Sequence, residues 1–460
     1  MQPRRYLILA ICCMSLLIIS LDVTIVNVAL PAMAEDLDAP VSGLQWIIDA
    51  YLLVLASLLV LAGSTGDRIG RRRVFQSGLA LFTIGSLLCS LAPSLEWLIG
   101  FRTIQAVGGS MLNPVAMSII TNTFTEPRER ARAIGVWGAV TGFSMALGPL
   151  AGGFLVHSFG WPSIFWINVP VGIVAFLLAW RFIPESRAEH PRRLDPVGQV
   201  LVLTLLAALT FGIIEGPSEG WSSPLIIGCF TLAVAALAAL LWWEPRREEP
   251  LIELRFFHSA PFTGATLVAI CAFASLGGFL FLNTLYLQQV RGLSALEAGL
   301  YTLPMALMTI VASPLSGRLV GTRGTRLPLH ISGVSMAAGV APLIWAGPST
   351  PAWQLFAGYL LFGFGFGMVN TPITNTAVSG MPRARAGVAA AIASTSRQVG
   401  SALGVAVIGA VVASGSTPAD QAGWWILCAL GIAVLLIGHI TSGSWARSTT
   451  THATPTRVPA

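Results

Sequence analysis

Gly63-Ser64-Thr65-Gly66-Asp67-Arg68-Ile69-Gly70-Arg71-Arg72-Arg73 is the stretch on which the reading of this chain turns. It joins two long apolar runs, at 44–62 and 74–92. Its glycines let helix ends and a tight turn approach a neighbouring helix. Asp67 can accept hydrogen bonds from a facing helix N-terminus or from an arginine. A plain basic connector needs none of this order. The stretch therefore reads as a conformational latch built from Gly63, Gly66, Asp67, Arg68, Gly70 and Arg71, able to break and re-form.

The two flanking runs belong to a series. Of 460 residues, 55% are hydrophobic and 10% charged, whereas soluble domains carry roughly 25% charged residues. A bilayer-spanning helix needs about 20 apolar residues. Such runs occur at 6–30, 44–62, 74–92, 95–120, 132–157, 163–182, 197–214, 224–243, 261–285, 297–316, 328–346, 353–376, 386–413 and 422–441. The expected fold is all-α and polytopic, with fourteen transmembrane helices and only short connectors. The first run is about twice the length of a signal-peptide core and is interrupted by Asp22, so it is expected to stay as the first membrane helix.

All 26 basic residues are arginine, and the net charge is +6. They sit between apolar runs rather than along one face, which argues against nucleic acid. With the N-terminus in the cytoplasm, the inside loops hold Arg68, Arg71, Arg72, Arg73, Arg128, Arg130, Arg132, Arg181, Arg187, Arg192, Arg193, Arg246, Arg247, Arg255, Arg318, Arg323, Arg326, Arg383 and Arg385. The termini add Arg4, Arg5, Arg447 and Arg457, and the outside loops hold only Arg291. The positive-inside rule then places both termini in the cytoplasm. The six cysteines lie in apolar runs and form no C-x-x-C pair, and the six histidines have no metal-ligand spacing. No phosphate loop or hydrolase elbow is present.

Gly63, Gly70 and Arg72 recur as Gly317, Gly324 and Arg326, at a constant offset. Six-helix halves with two helices inserted between them give this arrangement, and such repeats are usual in transporters. The latch stretch resembles the signature loop of the major facilitator superfamily. LDVTIVNVALP (21–31) resembles the first-helix motif of its fourteen-helix drug:proton antiporters. WPSIFWINVPVG (161–172), YLQQVRGLSALEAGLYTL (286–303) and RQVGSALG (397–404) are similar to further segments of that group. The resemblance implies an N-terminal six-helix bundle at 1–190, two inserted helices at 191–250, a C-terminal six-helix bundle at 251–445 and a cytoplasmic tail at 446–460. It also implies the cytoplasmic membrane of a bacterium.

Two arginines, Arg102 and Arg397, lie inside apolar runs. A charge at membrane depth costs at least ~2.5–3.5 kcal/mol on insertion scales and calls for a partner or an aqueous cavity. Arg102, Gln105, Gly109 and Asn113 share one face of a helix. Asp22, the sole acid within the first run, lies at a matching depth. Desolvation favours its neutral form, and a nearby arginine favours the carboxylate. Proton exchange and a static ion pair are both compatible with that arrangement. By resemblance, Asp22 and Arg102 are the proton-coupling residues. Gly135, Ser144, Gly148, Pro149, Gly152 and Gly153 match the family's antiporter motif, with serine at 144 where the family has glycine. Gln105, Asn113, Asn283, Tyr286 and Asn370 are candidate lining residues of a substrate cavity. Arg397 is open between substrate binding, packing and a latch. Asp49 and Glu215, near outer helix ends, are expected to be solvated.

The functional expectation is a monomeric exporter of small hydrophobic drugs or antibiotics, with the proton as coupling ion and no metal or organic cofactor. An uptake permease of the same fold is the nearest alternative. A non-transporting membrane sensor or a membrane enzyme belongs to another class. From Ala298 onward the only acid is Asp420, so neutral, zwitterionic or weakly acidic substrates are expected over dications.

Overall fold

In the computed structural model, residues 2–188, 194–378, 386–415, 418, 420–443, 446, 448 and 449 are described. Every regular element among them is helical. The elements are α1 (Gln2–Asp36), α2 (Val41–Ile69), α3 (Arg71–Ser90), α4 (Leu95–Thr123), α5 (Pro127–Phe159) and α6, which is made of Ser163–Trp166 and Asn168–Phe182. Then come α7 (Pro196–Glu219), α8 (Pro224–Trp243), α9 (Ala260–Leu285), α10 (Ala295–Arg323) and α11 (Arg326–Val340). The last are α12 (Ala352–Val378), α13 (Ala386–Ala413) and α14 (Gln421–Thr441). Arg192, Arg193, Arg383, Arg385, Arg447 and Arg457 lie outside the described residues.

All fourteen expected helices are present. Among the described residues, eleven are long and apolar enough to cross a bilayer. The two halves of α5 act as a twelfth when joined through a 40° bend between Met145 and Leu147. Pro149 causes such a bend, because it has no N–H to give the Met145 carbonyl one turn back. The remaining two are α4, whose apolar character is diluted by Arg102, Gln105 and Asn113, and α11, which has 15 residues.

The helices group into two compact units. One holds Met1–Gln199 with Leu287–Leu303, and the other holds Val200–Tyr286 with Pro304–Ala460. Within the first unit α1 packs on α5 and α6, and α3 packs on α4 and α6. Within the second, α9 packs on α13 and α14, and α11 packs on α12 and α14. The same pairing plan is thus used twice, with α1, α3, α4, α5 and α6 answering to α9, α11, α12, α13 and α14. That is the structural form of the sequence repeat. Helices α7 and α8 stand outside the plan. Only 22% of the most apolar stretch of α8 is buried, and its exposed side chains are apolar apart from Thr231, whose hydroxyl donates to the Ile227 carbonyl of its own helix, as a lipid-facing helix requires.

One expectation changes here. Residues 63–73 are not a loop. Gly63 to Ile69 form the end of α2, and Gly70 alone separates it from α3. A single residue suffices because Gly70 adopts φ 129°, a conformation L side chains rarely take. A β-carbon there would also meet the Glu185 carboxylate at 2.7 Å.

Candidate functional site

Deep in the first unit four helices contribute polar side chains to one closed cluster. Arg102 of α4 donates through Nη1 to Asp22 Oδ2 of α1 at 2.5 Å, and the same nitrogen lies 2.6 Å from Gln105 Oε1. Its Nε donates to the Ile47 carbonyl of α2 at 3.1 Å. Gln105 Nε2 donates to Asp22 Oδ1 at 2.8 Å and to Ser86 Oγ of α3 at 2.6 Å. Asn168 of α6 donates to the same two acceptors, at 3.3 and 3.2 Å. The guanidinium carbon sits 4.2 Å from the centroid of the Tyr51 ring and 5.7 Å from that of Phe165, within cation–π range. Asp22 is 0% exposed and Arg102 1%.

A desolvated charge pair is tolerable only when its remaining hydrogen-bonding capacity is met. Gln105 and Asn168 donate to Asp22, Gln105 Oε1 and the Ile47 carbonyl accept from Arg102, and Ser86 accepts from the two amides and so fixes them. The depth match between Asp22 and Arg102 is realised as direct contact, although α1 runs on to Asp36, past the end read from hydropathy. Gln105, expected at a cavity wall, is instead fully buried in this cluster. Ser86, Asn168 and Tyr51 were not singled out from the sequence.

The glycines of α5 converge on the same place. A β-carbon at Gly148 would collide with Thr24, two residues from Asp22, and one at Gly152 would lie 2.8 Å from Ile25 Cγ1. Gly153 approaches the Ala295 carbonyl so closely that a β-carbon would stand 2.6 Å from it. Pro149 meets Gly299 through its carbonyl. Ser144 is buried, and its hydroxyl donates to the Val140 carbonyl at 2.8 Å, so its polar group is absorbed by its own helix. Gly135 has open space around it.

Around the junction of α2 and α3, Asp67 pairs with Arg71, one turn on, at 2.8 Å. The strand-like segment after α6 straps this junction. Arg71 N donates to the Ser186 carbonyl at 2.9 Å, Arg72 N to Glu185 Oε1 at 3.1 Å, and Ala188 N to the Asp67 carbonyl at 3.0 Å. Two otherwise unpaired amides at the start of α3 are thereby satisfied. Gly63 and Gly66 face Pro114 and Val115 of α4, and Arg68 is exposed. Glu185 was not foreseen, because a lone acid in a connector carries no signal of what it will reach.

The other candidates are scattered. Asn113 is half-buried on α4, with its carbonyl oxygen unbonded. In the second unit Asn283 accepts from the Tyr359 hydroxyl at 2.5 Å, and the Tyr286 hydroxyl donates to the Gly347 carbonyl at 2.9 Å. Both residues are fully buried. Asn370 is half-buried on α12. Arg397 donates to Ser394 at 2.7 Å and lies 3.5 Å from the Thr374 hydroxyl, and no carboxylate among the described residues pairs with it. Asp49 is not solvated as expected. It is fully buried, and neither carboxylate oxygen has a partner among the described residues. The reason is its position in α2, whose flanking Ile47, Ile48, Leu52 and Leu53 are also buried.

The major facilitator superfamily profile matches residues 12–405. The chain belongs to this superfamily. Multidrug resistance protein Stp of Mycobacterium tuberculosis is 36% identical over 401 residues, covering 87% of this chain and 74% of that protein. The methylenomycin A resistance protein of Streptomyces coelicolor is 36% identical, covering 91% of this chain and 88% of its own. The tetracenomycin C resistance and export protein of Streptomyces glaucescens is 37% identical, covering 86% of this chain and 74% of its own. Among solved structures, the xylose transporter XylE of E. coli aligns with a TM-score of 0.65 at 16% identity, over 94% of this chain and 97% of that one. Its likeness shows the major facilitator fold. The protein is therefore a multi-pass membrane transporter of this superfamily.

Proposed function

We propose that this protein exports small, fairly hydrophobic drugs or antibiotics across the cytoplasmic membrane of a bacterium, driven by protons entering in exchange. The observation that carries the reading is the closed Asp22–Arg102–Gln105–Asn168–Ser86 cluster. It pairs one buried carboxyl with a permanent cation inside apolar helices, the arrangement a proton-coupled exchange needs. An opening motion or bound substrate that separates the pair would leave each partner uncompensated, and proton exchange would be coupled to that separation. The α5 glycines support antiport, since they seat that helix on α1 beside Asp22. The drug-resistance and export names of the relatives support the substrate class. Arginine asymmetry supports cytoplasmic termini.

Reconstituted vesicles of known orientation separate export from uptake. An opposing pH gradient should drive a hydrophobic dye out of the compartment that corresponds to the cytoplasm, and collapsing the gradient with an ionophore should stop it. Gradient-driven accumulation in the cytoplasmic sense would establish the uptake permease instead.

The latch reading rests on Asp67 and its partner. A half-buried ion pair one turn apart on a helix, like this one, is worth only ~0.3–0.5 kcal/mol, so Asp67→Asn should leave the yield and melting temperature of folded protein nearly unchanged. Turnover should fall severalfold, because the pair acts in the exchange between states. Transport by this variant at the parent rate would remove the latch.

A further inference from the structure

In the second unit α11 and α14 run antiparallel in close contact. A β-carbon at Gly333 would lie 2.5 Å from the Leu435 amide nitrogen, one at Gly431 would lie 2.7 Å from that of Ala337, and one at Gly438 would lie 2.9 Å from Leu329 Cβ. This close crossing brings His330 and His439 together. Their rings stack with centroids 5.1 Å apart at 22°, and His439 Nδ1 lies 3.2 Å from His330 Nε2. Arg326 Nη2 lies 3.4 Å from both ring nitrogens of His439. Arg326 and His439 are exposed and His330 is half-buried. None of the three takes part in the cluster around Asp22.

Among the described residues no carboxylate forms an ion pair with Arg326, His330 or His439. From Ala298 to the C-terminus the only acid is Asp420, which precedes α14 and so lies at the other end of that helix. Arg318 and Arg323, at the end of α10, share the basic end with Arg326. The two imidazoles supply N–H donors beside the permanently charged Arg326 guanidinium, a combination that suits an external anion.

The helix surfaces leading away from the cluster say what carries that anion. On α11, Arg326 and His330 continue at helical spacing into exposed Val334 and Ala338. On α14, exposed Ile432, Leu436 and Ile440 form one stripe beside His439. Both stripes are apolar and face outward on helices of a membrane bundle. A basic group at the rim with exposed apolar stripes running inward from it matches a phospholipid with an anionic headgroup. We propose that Arg326, His330 and His439 bind the phosphodiester of an anionic phospholipid, with an acyl chain along the exposed apolar residues Val334, Leu436 and Ile432.

The test uses full-length protein purified in mild detergent, analysed by native mass spectrometry and thermal melting. Added phosphatidylglycerol should be retained and should raise the melting temperature, whereas phosphatidylethanolamine should do so much less. The double variant Arg326→Gln with His439→Gln should elute as folded monodisperse protein and bind phosphatidylglycerol about tenfold more weakly. Single replacement of Arg318, outside the cluster, should leave retention at the parent level. Equal retention of the two lipids would overturn the proposal, as would unchanged phosphatidylglycerol binding by the double variant. Equal protection by inorganic phosphate alone would also overturn it, by making this a site for the free anion. Should the double variant fail to fold, the single variant His439→Gln carries the same comparison.

Discussion

Asp22→Asn should abolish efflux driven by a pH gradient. The substitution keeps the size of the side chain and the acceptor that Gln105 and Asn168 use, but it removes the group able to take and release a proton. It also turns an amide toward Arg102 where a carboxylate oxygen stood, 2.5 Å away. Breaking one side of a buried pair typically costs ~3–5 kcal/mol. The loss is softened here by Gln105 Oε1 and the Ile47 carbonyl, which still accept from the guanidinium. Folded yield should therefore fall without vanishing. Combining Asp22→Asn with Arg102→Gln should restore melting temperature, because no unpaired charge remains, and should not restore efflux. Dye efflux measured at several external pH values separates the two effects. Gradient-driven efflux in either the single or the double variant would take the proton-carrying role away from Asp22.

A second large effect is expected at Gly108, where α4 crosses α3. A β-carbon at this position would collide with the Phe82 amide nitrogen and would lie 2.7 Å from the Gly78 carbonyl. Both obstacles are backbone, so no rotamer change relieves them. Gly108→Val should force the helices apart, at a cost of ~1–3 kcal/mol or more. The damage should reach the polar cluster, since Gly85 packs against the Gln105 backbone at the same crossing and stands next to Ser86. A clear fall in melting temperature together with loss of transport is the expected result. Gly100→Ala is the matched control, because nothing lies within 4 Å of the β-carbon it adds. Parent-like melting of Gly108→Val would show that this crossing is looser than its geometry.

The architecture was readable because each span is a long apolar run and because arginines mark alternate connectors. The pair Asp22–Arg102 was readable because charges inside apolar runs are rare enough to point at each other. Its companions were not. Ser86 and Asn168 are ordinary polar residues in apolar helices, where most such side chains bond to a carbonyl one turn back, as Thr83 does with Leu79. Which of them reaches across to another helix depends on helix rotation, which hydropathy does not encode. Gln105 was placed on the right face and given the wrong setting, because a polar face looks the same whether it lines water or a packed partner. Asp49 shows the opposite error. Proximity to a helix end suggested water, while the buried apolar residues on both sides of it decide its setting. The end of α2 was misread as a loop because glycines and charges suppress hydropathy without breaking the helix.

An ionised carboxylate offers about four lone-pair positions. At Asp22, Gln105 and Asn168 occupy two on Oδ1, and Arg102 occupies one on Oδ2. The position left open is on the oxygen that the guanidinium already holds. If Asp22 carries the proton proposed above, a hydrogen arriving there removes the full negative charge that Nη1 faces, so the hold of α4 on α1 through Arg102 slackens as the acid is loaded. The pair would then serve as a clasp between α1 and α4 whose grip depends on what the carboxyl carries.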